Sequence, residues 1–235
     1  MSLLTIVQDV QGRIGLPRST AVMSATDQTT RSLLALSIQE GKELARYGNW
    51  QALTKEKTFT TVAAETQTDA IPTDFGFILD DTVFNRTTVR KLEGPLSAQQ
   101  WQDLKALPSQ PVFPQFRIRG NSFLYLPTPS AGDTIAYEYV SKYWVDTDAD
   151  GIGNAVTWAA DANTSVLDEE LITLGVIWRF KKARGLDYSE EFRTYDIERR
   201  KALTRDGGKP KLNAAGPGIV GSGQQALRSA AGVIW

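Results

Sequence analysis

Apolar residues in the first fifteen positions recur at helical spacing, with Leu3, Ile6, Val7, Val10 and Ile14 on one stripe. The stripe predicts a helix over 3–15, stopped by "GLPR" at 15–18, where glycine and proline cannot cheaply continue it. A second helix is predicted after the capping residues of "SATDQTT" and runs to about Asn49. Leu33, Leu34, Ile38, Gly41 and Ala45 share its inner face, and the small residues at 41 and 45 leave room for another helix to approach. From about Lys57 the period shortens. "KTFTTVAAE", "DTVFNRTTVRKLE", "QFRIRGNSFLYLP" and "DTIAYEYVSKYWV" are β-branched or aromatic-rich and bounded by Pro, Gly and Asp, which predicts strands. "RGN" between "FRI" and "SFLYL" reads as a tight hairpin. One helix interrupts the strands: Ser97 caps "SAQQWQDLKAL", and Pro108 follows its end.

Helical patterning returns over Asp168 to Arg184, with acids in the first turn and "RFKKAR" in the last, as the helix dipole favours. Gly185 stops it. A further helix from Tyr188 to about Arg205 carries Tyr188, Phe192, Tyr195 and Leu203 on one stripe and ends at Gly207 and Gly208. The fold class is therefore α+β. Segments 1–55 and 166–206 form a helical bundle, 56–165 is an inserted antiparallel β module with one short helix, and 207–235 is an extended C-terminal tail.

Two segments stand apart. Leu171, Ile172, Leu174, Val176, Ile177, Trp178 and Phe180 cover nearly the whole circumference of their helix, and a helix apolar all round is buried all round. It is either a central core helix or a helix between two subunits, and periodicity leaves both open. Leu171, Leu174, Trp178 and Phe180, with Phe192 and Tyr195 of the next helix, are the candidate subunit interface. The tail is dominated by Gly, Ala, Ser and Pro, too little apolar area to order itself, yet it carries isolated anchors. These are Leu212, Ile219, Val220, Leu227, Val233, Ile234 and Trp235. An exposed Val-Ile-Trp is otherwise a liability, so the tail is expected to dock on a partner.

Composition narrows the chemistry. At 235 residues the chain can bury a real core in one domain or two small ones. With no cysteine there are no disulfides, no thiolate catalysis and no cysteine-ligated zinc. With no histidine, Ser-His-Asp triads and the commonest general base near neutral pH are excluded too. The longest apolar run, "LITLGVIW", is far short of the roughly 20 residues of a membrane span. Asp9 comes early with no basic n-region before it, so a secretory signal is not expected and cytosolic synthesis is. Net charge is −1, with 12 basic and 9 acidic residues from Val166 onward against 14 and 18 before it. That asymmetry fits solvated helix faces better than a DNA-binding patch. Arg179, Lys181, Lys182, Arg184, Arg199, Arg200 and Lys201 could line a phosphate-facing surface, but no recognition fold accompanies them. Salt bridges between helices or subunits are the expectation.

The stretch "WVDTDADGIGN" places Asp146, Asp148, Asp150 and Gly151 on the first, third, fifth and sixth positions of a calcium loop. The twelfth position is Thr157 instead of a bidentate Glu, and the flanks read as strands, so a polar turn is preferred. Glu169/Glu170 and Glu190/Glu191 are adjacent carboxylate pairs of the kind glycoside hydrolysis needs. Each sits in a helix's first turn, where dipole and solvent explain it. "GPGIVGSG" lacks the Gly-Lys-Ser/Thr ending of a phosphate loop. No catalytic residue, metal or cofactor is expected.

Five stretches, taken together and in order, carry a resemblance. "LPRSTAV", "LLALSIQEGKELARYGNWQAL", "FNRTTVRKLEGPLSAQQWQDLKA", "FRIRGNSFLYLPTPSAGDTIAYEYVSKYW" and "LDEELITLGVIWRFKKARGLDYSEEFRTYD" resemble the head-to-tail adaptor proteins of tailed bacteriophages, over roughly residues 1–206. The resemblance implies a structural virion protein of the neck, a helical bundle with an inserted β module. It also implies assembly into a ring, usually a dodecamer, between the portal protein and a tail or nozzle protein, with double-stranded DNA passing through without sequence-specific binding. Some relatives extend a C-terminal segment onto the portal. The readings from other classes are a phage-associated cell-wall hydrolase using carboxylates and a calcium-stabilised binding module.

Overall fold

The computed structural model describes residues 2–107 and 111–207. Helix α1 (Leu3–Arg13) starts where the Ser2 hydroxyl accepts the Thr5 N–H, and its stripe of Leu3, Ile6, Val7 and Val10 is fully buried. Helix α2 (Gln28–Tyr47) is capped by Asp27, whose carboxylate accepts the Thr30 N–H at 2.7 Å. After a single tight turn at Gln51–Leu53, the chain enters strand β1 (Thr54–Thr60). Strands β2 (Thr66–Gln67), β3 (Phe75–Ile78), β4 (Phe84–Asn85) and β5 (Arg90–Lys91) follow, then helix α3 (Ala98–Ala106). Ser97 and Gln100 close a reciprocal capping box at the start of α3, as the cap reading predicts. Pro108, expected just past its end, lies outside the described residues. Strands β6 (Gln115–Arg119), β7 (Ser122–Leu126), β8 (Thr134–Ser141), β9 (Val145–Asp146) and β10 (Thr164–Ser165) lead to helices α4 (Glu169–Ala183) and α5 (Ser189–Asp206). The class is α+β.

Strand β8 is the spine of the strand-rich region. It pairs antiparallel with all seven residues of β1 on one edge, and with β3 and β4 on the other. Its residues alternate in destination. Ile135, Tyr137 and Tyr139 join a core of Phe59, Phe116 and Phe123, whose rings lie about 5–6.5 Å apart. Val140 turns instead into the core built by the helices, the cluster that also holds Trp144, Leu44 and Val176. The β6–β7 hairpin joins Arg119 to Ser122 through Gly120 and Asn121, with Gly120 at φ +58°, the left-handed conformation that "RGN" implies. "DTVFNRTTVRKLE" is not one strand but a hairpin of β4 and β5. Asn85 accepts the N–H groups of Thr87 and Thr88 through its side chain and turns the chain back.

Helix α4 lies against α1, α2 and α5 within one chain, and this explains its apolar circumference: Leu171, Ile172, Val176, Ile177, Trp178 and Phe180 are all buried. Gly41 of α2 serves a different purpose from the one expected. Gly41 faces not a helix but the Trp144 indole, and a Cβ there would sit 2.2 Å from the ring. Trp144 is 0 % exposed, donates its indole N–H to the Val156 carbonyl at 3.0 Å and meets Trp158 edge-on, so it cannot move aside. Gly41→Ala is expected to destabilise the fold by about 1–3 kcal/mol, the usual cost of overpacking a fixed core. Urea unfolding of the variant beside the wild type measures it; an unchanged midpoint would mean that Trp144 is free to shift.

Candidate functional site

The helices meet at a buried carboxylate. Glu40 of α2 is 0 % exposed. Arg179 of α4 donates its Nε to one Glu40 oxygen at 2.6 Å, and a terminal nitrogen to Glu43 at 2.7 Å. The Tyr195 hydroxyl of α5 donates to the other Glu40 oxygen. Burial pushes the Glu40 carboxyl up, against the pull of Tyr195 and Arg179, and burial likewise pushes the Tyr195 phenol up, helped by the adjoining Glu40. Arg179 loses solvation too, but its two carboxylates outweigh that and raise it further. Both Glu40 oxygens are thus taken by structural partners in a place sealed from solvent. The arrangement locks three helices; it is not built to accept a substrate. Its one sequence signal is position: 40 falls on the stripe 33, 37, 41, 44, so a Glu interrupts a buried face.

A second buried carboxylate fastens the strand-rich region. Asp74, just before β3, accepts from Lys55 Nζ at 2.9 Å, the Tyr139 hydroxyl at 2.8 Å and the Ser141 hydroxyl at 3.0 Å. Lys55 also donates to the Gly153 carbonyl at 3.0 Å. Desolvation raises the Asp74 carboxyl, but Lys55, Tyr139 and Ser141 together hold it below the usual carboxylate range.

The candidate interface residues divide. Leu171, Trp178, Phe180 and Tyr195 are buried inside their own chain, Leu174 is half-buried, and Phe192 is 42 % exposed. Trp178 is held edge-on by Phe192 at 5.1 Å, with the Arg179 guanidinium 4.4 Å over its ring. Leu174, Ile177 and Ile14 line a concavity of about 250 Å³ between α1, α4 and α5. The tail anchors Leu212, Ile219, Val220, Leu227, Val233, Ile234 and Trp235 lie outside the described residues.

The calcium-loop carboxylates are taken up by local hydrogen bonds. Asp146 turns inward and accepts the N–H groups of Asp148, Ala149 and Gly151 at 2.8–3.0 Å. Burial raises its carboxyl, but the donors of Gly151, Asp148, Ala149 and Asp150 prevail and lower it. Asp148 accepts from Asn154 and the Thr147 hydroxyl, while Asp150 caps the Ile152 N–H. The three carboxylates therefore do not converge. Among the described residues, no group of three or more acidic side chains stands where it could hold a metal ion.

One glutamate of each adjacent pair holds a cation. Glu170 takes both terminal nitrogens of Arg13 at 2.6 and 2.8 Å, and Glu191 pairs with Lys181. The cationic residues near them are engaged in the same way. Arg199 and Arg200 share Asp196, Lys201 pairs with Glu198, Lys182 stands over the Trp178 and Tyr188 rings, and Arg184 over Phe180. Arg179–Glu40 and Lys181–Glu191 are the bridges between helices that the charge pattern suggested.

Two measurements probe these carboxylates. Glu40→Gln removes the buried charge partner of Arg179 and leaves it Glu43 alone, and is expected to lose about 3 kcal/mol in urea unfolding. A loss under about 1 kcal/mol would mean water reaches the pair. Asp74 has a folded value below its unfolded one, so its contribution is present above about pH 4 and disappears as pH falls through the lowered value. Asp74→Asn should therefore be less stable at neutral pH and show a shallower fall in melting temperature on acidification; parallel curves would remove Asp74 from the acid transition.

No helix among the described residues is long and apolar enough to cross a membrane. No curated protein matches the chain. The family model of the SU10 adaptor protein matches residues 1–209, spanning the helices and the strand-rich region together, in the range where the sequence resembles phage head-to-tail adaptors. The chain belongs to the SU10 adaptor protein family, and its interior carboxylates are the fastenings of a bacteriophage structural part.

Proposed function

We propose that this protein is a ring-forming adaptor of the virion neck that joins the portal protein to a tail or nozzle protein and lines the passage for double-stranded DNA. The family match over residues 1–209 carries the reading. The disposition of chemistry supports it: the buried carboxylates serve packing, and the protein's work is assembly, not catalysis. On this reading the segments 1–55 and 166–206 form the helical part of each subunit, and 56–165 is an inserted module turned toward the tail. The ring is a dodecamer in the usual form of such adaptors, assembled in the host cytoplasm and carried in the virion, where it serves genome packaging and later DNA ejection.

Apolar residues left at the surface suit such a part. Phe192, Leu186 and Ile197 are 42–56 % exposed around α5, and Val89, Val112 and Phe113 are 64–82 % exposed in the strand-rich region. Phe192 and the half-buried Leu174 are the candidate interface residues still able to touch a neighbouring subunit, while Leu171, Trp178, Phe180 and Tyr195 would support that face from beneath. The 207–235 segment, with its apolar anchors, would dock on the portal.

The deciding experiment combines full-length protein, a form ending at residue 207, and Phe192→Glu with the cognate portal, followed by sedimentation and mass measurement. Full-length protein is expected to co-sediment as a closed multimer on the portal. The shortened form should bind at least about tenfold more weakly, in line with the loss of several buried apolar anchors. Phe192→Glu should stay folded and fail to close the ring. Full-length protein that does not join the portal would overturn the adaptor reading, and undiminished binding by the shortened form would overturn the role of the tail.

A further inference from the structure

A concavity of about 570 Å³ lies between α2 and the end of β8. Ala45, Phe77 and Val156 are among its apolar lining, and Lys42, Arg46 and Lys142 are its cations. No acidic residue lines it among the described residues. The contrast with the rest of the molecule is sharp. Arg13, Lys55, Arg179 and Lys181 each hold a carboxylate, whereas among the described residues the Lys42 and Arg46 side chains hold none, and Lys142 stands 5.9 Å from the Tyr143 ring. Three uncompensated cations around an apolar floor ask for an occupant with carboxylates and an apolar anchor. Duplex DNA would meet the cations, but its convex, hydrated backbone would leave the floor uncovered.

The chain carries a segment of the required kind. Residues 147–152 are exposed without interruption, and neither Asp148 nor Asp150 is ion-paired among the described residues. Ile152, at 55 % exposure, supplies the anchor. The Asp146 carboxylate fixes the shape of this loop through its three backbone bonds, so docking it would order little that is not already ordered. Lys42 and Arg46 lie one helical turn apart, about 5–6 Å between Cβ atoms, a spacing that suits two carboxylates two residues apart.

We propose that the 147–152 loop of one copy docks in this concavity of a second copy, with Asp148 and Asp150 on Lys42, Arg46 and Lys142, and Ile152 on the apolar floor. The inference rests on the ring reading and names a contact within it. Loop and concavity are different surfaces, so each subunit gives to one neighbour and receives from another, and the contact repeats until the ring closes.

Charge reversal in the full-length protein tests it, read by sedimentation velocity over a concentration series. Wild type is expected to self-associate. D148K/D150K and K42E/R46E should each raise the concentration for half-association by at least about tenfold, as like charges meet at a complementary contact. The four changes combined should restore association to near wild type, which a folding defect cannot do. Rings that form undisturbed by either reversal, or a combination that fails to rescue, would overturn the inference and leave the ring reading standing. A wild type that stays monomeric alone yet joins the portal would overturn it and leave the adaptor reading. Duplex DNA retained by wild type and released by K42E/R46E, with association unchanged, would overturn it in favour of phosphate binding.

Discussion

A carboxylate with no exposure to water sets the terms for the helical half of this protein. Glu40 is tolerable only where a cation and a hydroxyl meet it, and these come from two other helices, Arg179 of α4 and Tyr195 of α5. Each helix alone is ordinary; together they have one register in which the charge is compensated. Gly175 belongs to the same constraint, since a Cβ there would lie 2.2 Å from the Glu40 carboxyl carbon. The apolar side chains of α1, α2 and α4 supply the driving force around this point, and the buried pair decides which packing they adopt.

The strand-rich region repeats the device in weaker form. Asp74 collects donors from β1 and β8, and through Lys55 it reaches the 153 turn beside the helical core. Strand β8 links the two cores directly, giving Tyr137 to the aromatic one and Val140 to the helical one. Carboxylates that read in the sequence as candidates for acid–base or metal chemistry are held by backbone N–H groups and cations instead.

Much of this was legible residue by residue where the determinants are local. The stripe of Leu3, Ile6, Val7 and Val10, the Ser97 cap and the "RGN" turn each act over a few residues, and each element stands where its signal lies. Strand β3 has no local signal, since nothing in "FGFI" at 75–78 decides it; its partner is β8, more than sixty residues on. Glu40 was missed because a glutamate in a long helix is usually solvated, and only its tertiary partners make it central. In the Asp146 loop the missing twelfth-position Glu favours a polar turn, but the direction of the first carboxylate is settled by backbone donors that composition does not display. Periodicity flagged the α4 surface as buried on every side without showing what covers it, and α1, α2 and α5 supply the cover.

The seat of Trp144 against Gly41 has a mechanical side. One indole, pinned by its own hydrogen bond and by Trp158, fills the space between the second helix and the strands, and neither can slide past the other without expelling it. A protein wedged in this way transmits a pull or a twist from one end to the other with little give. For a part set between two assemblies, stiffness of that kind keeps them in register.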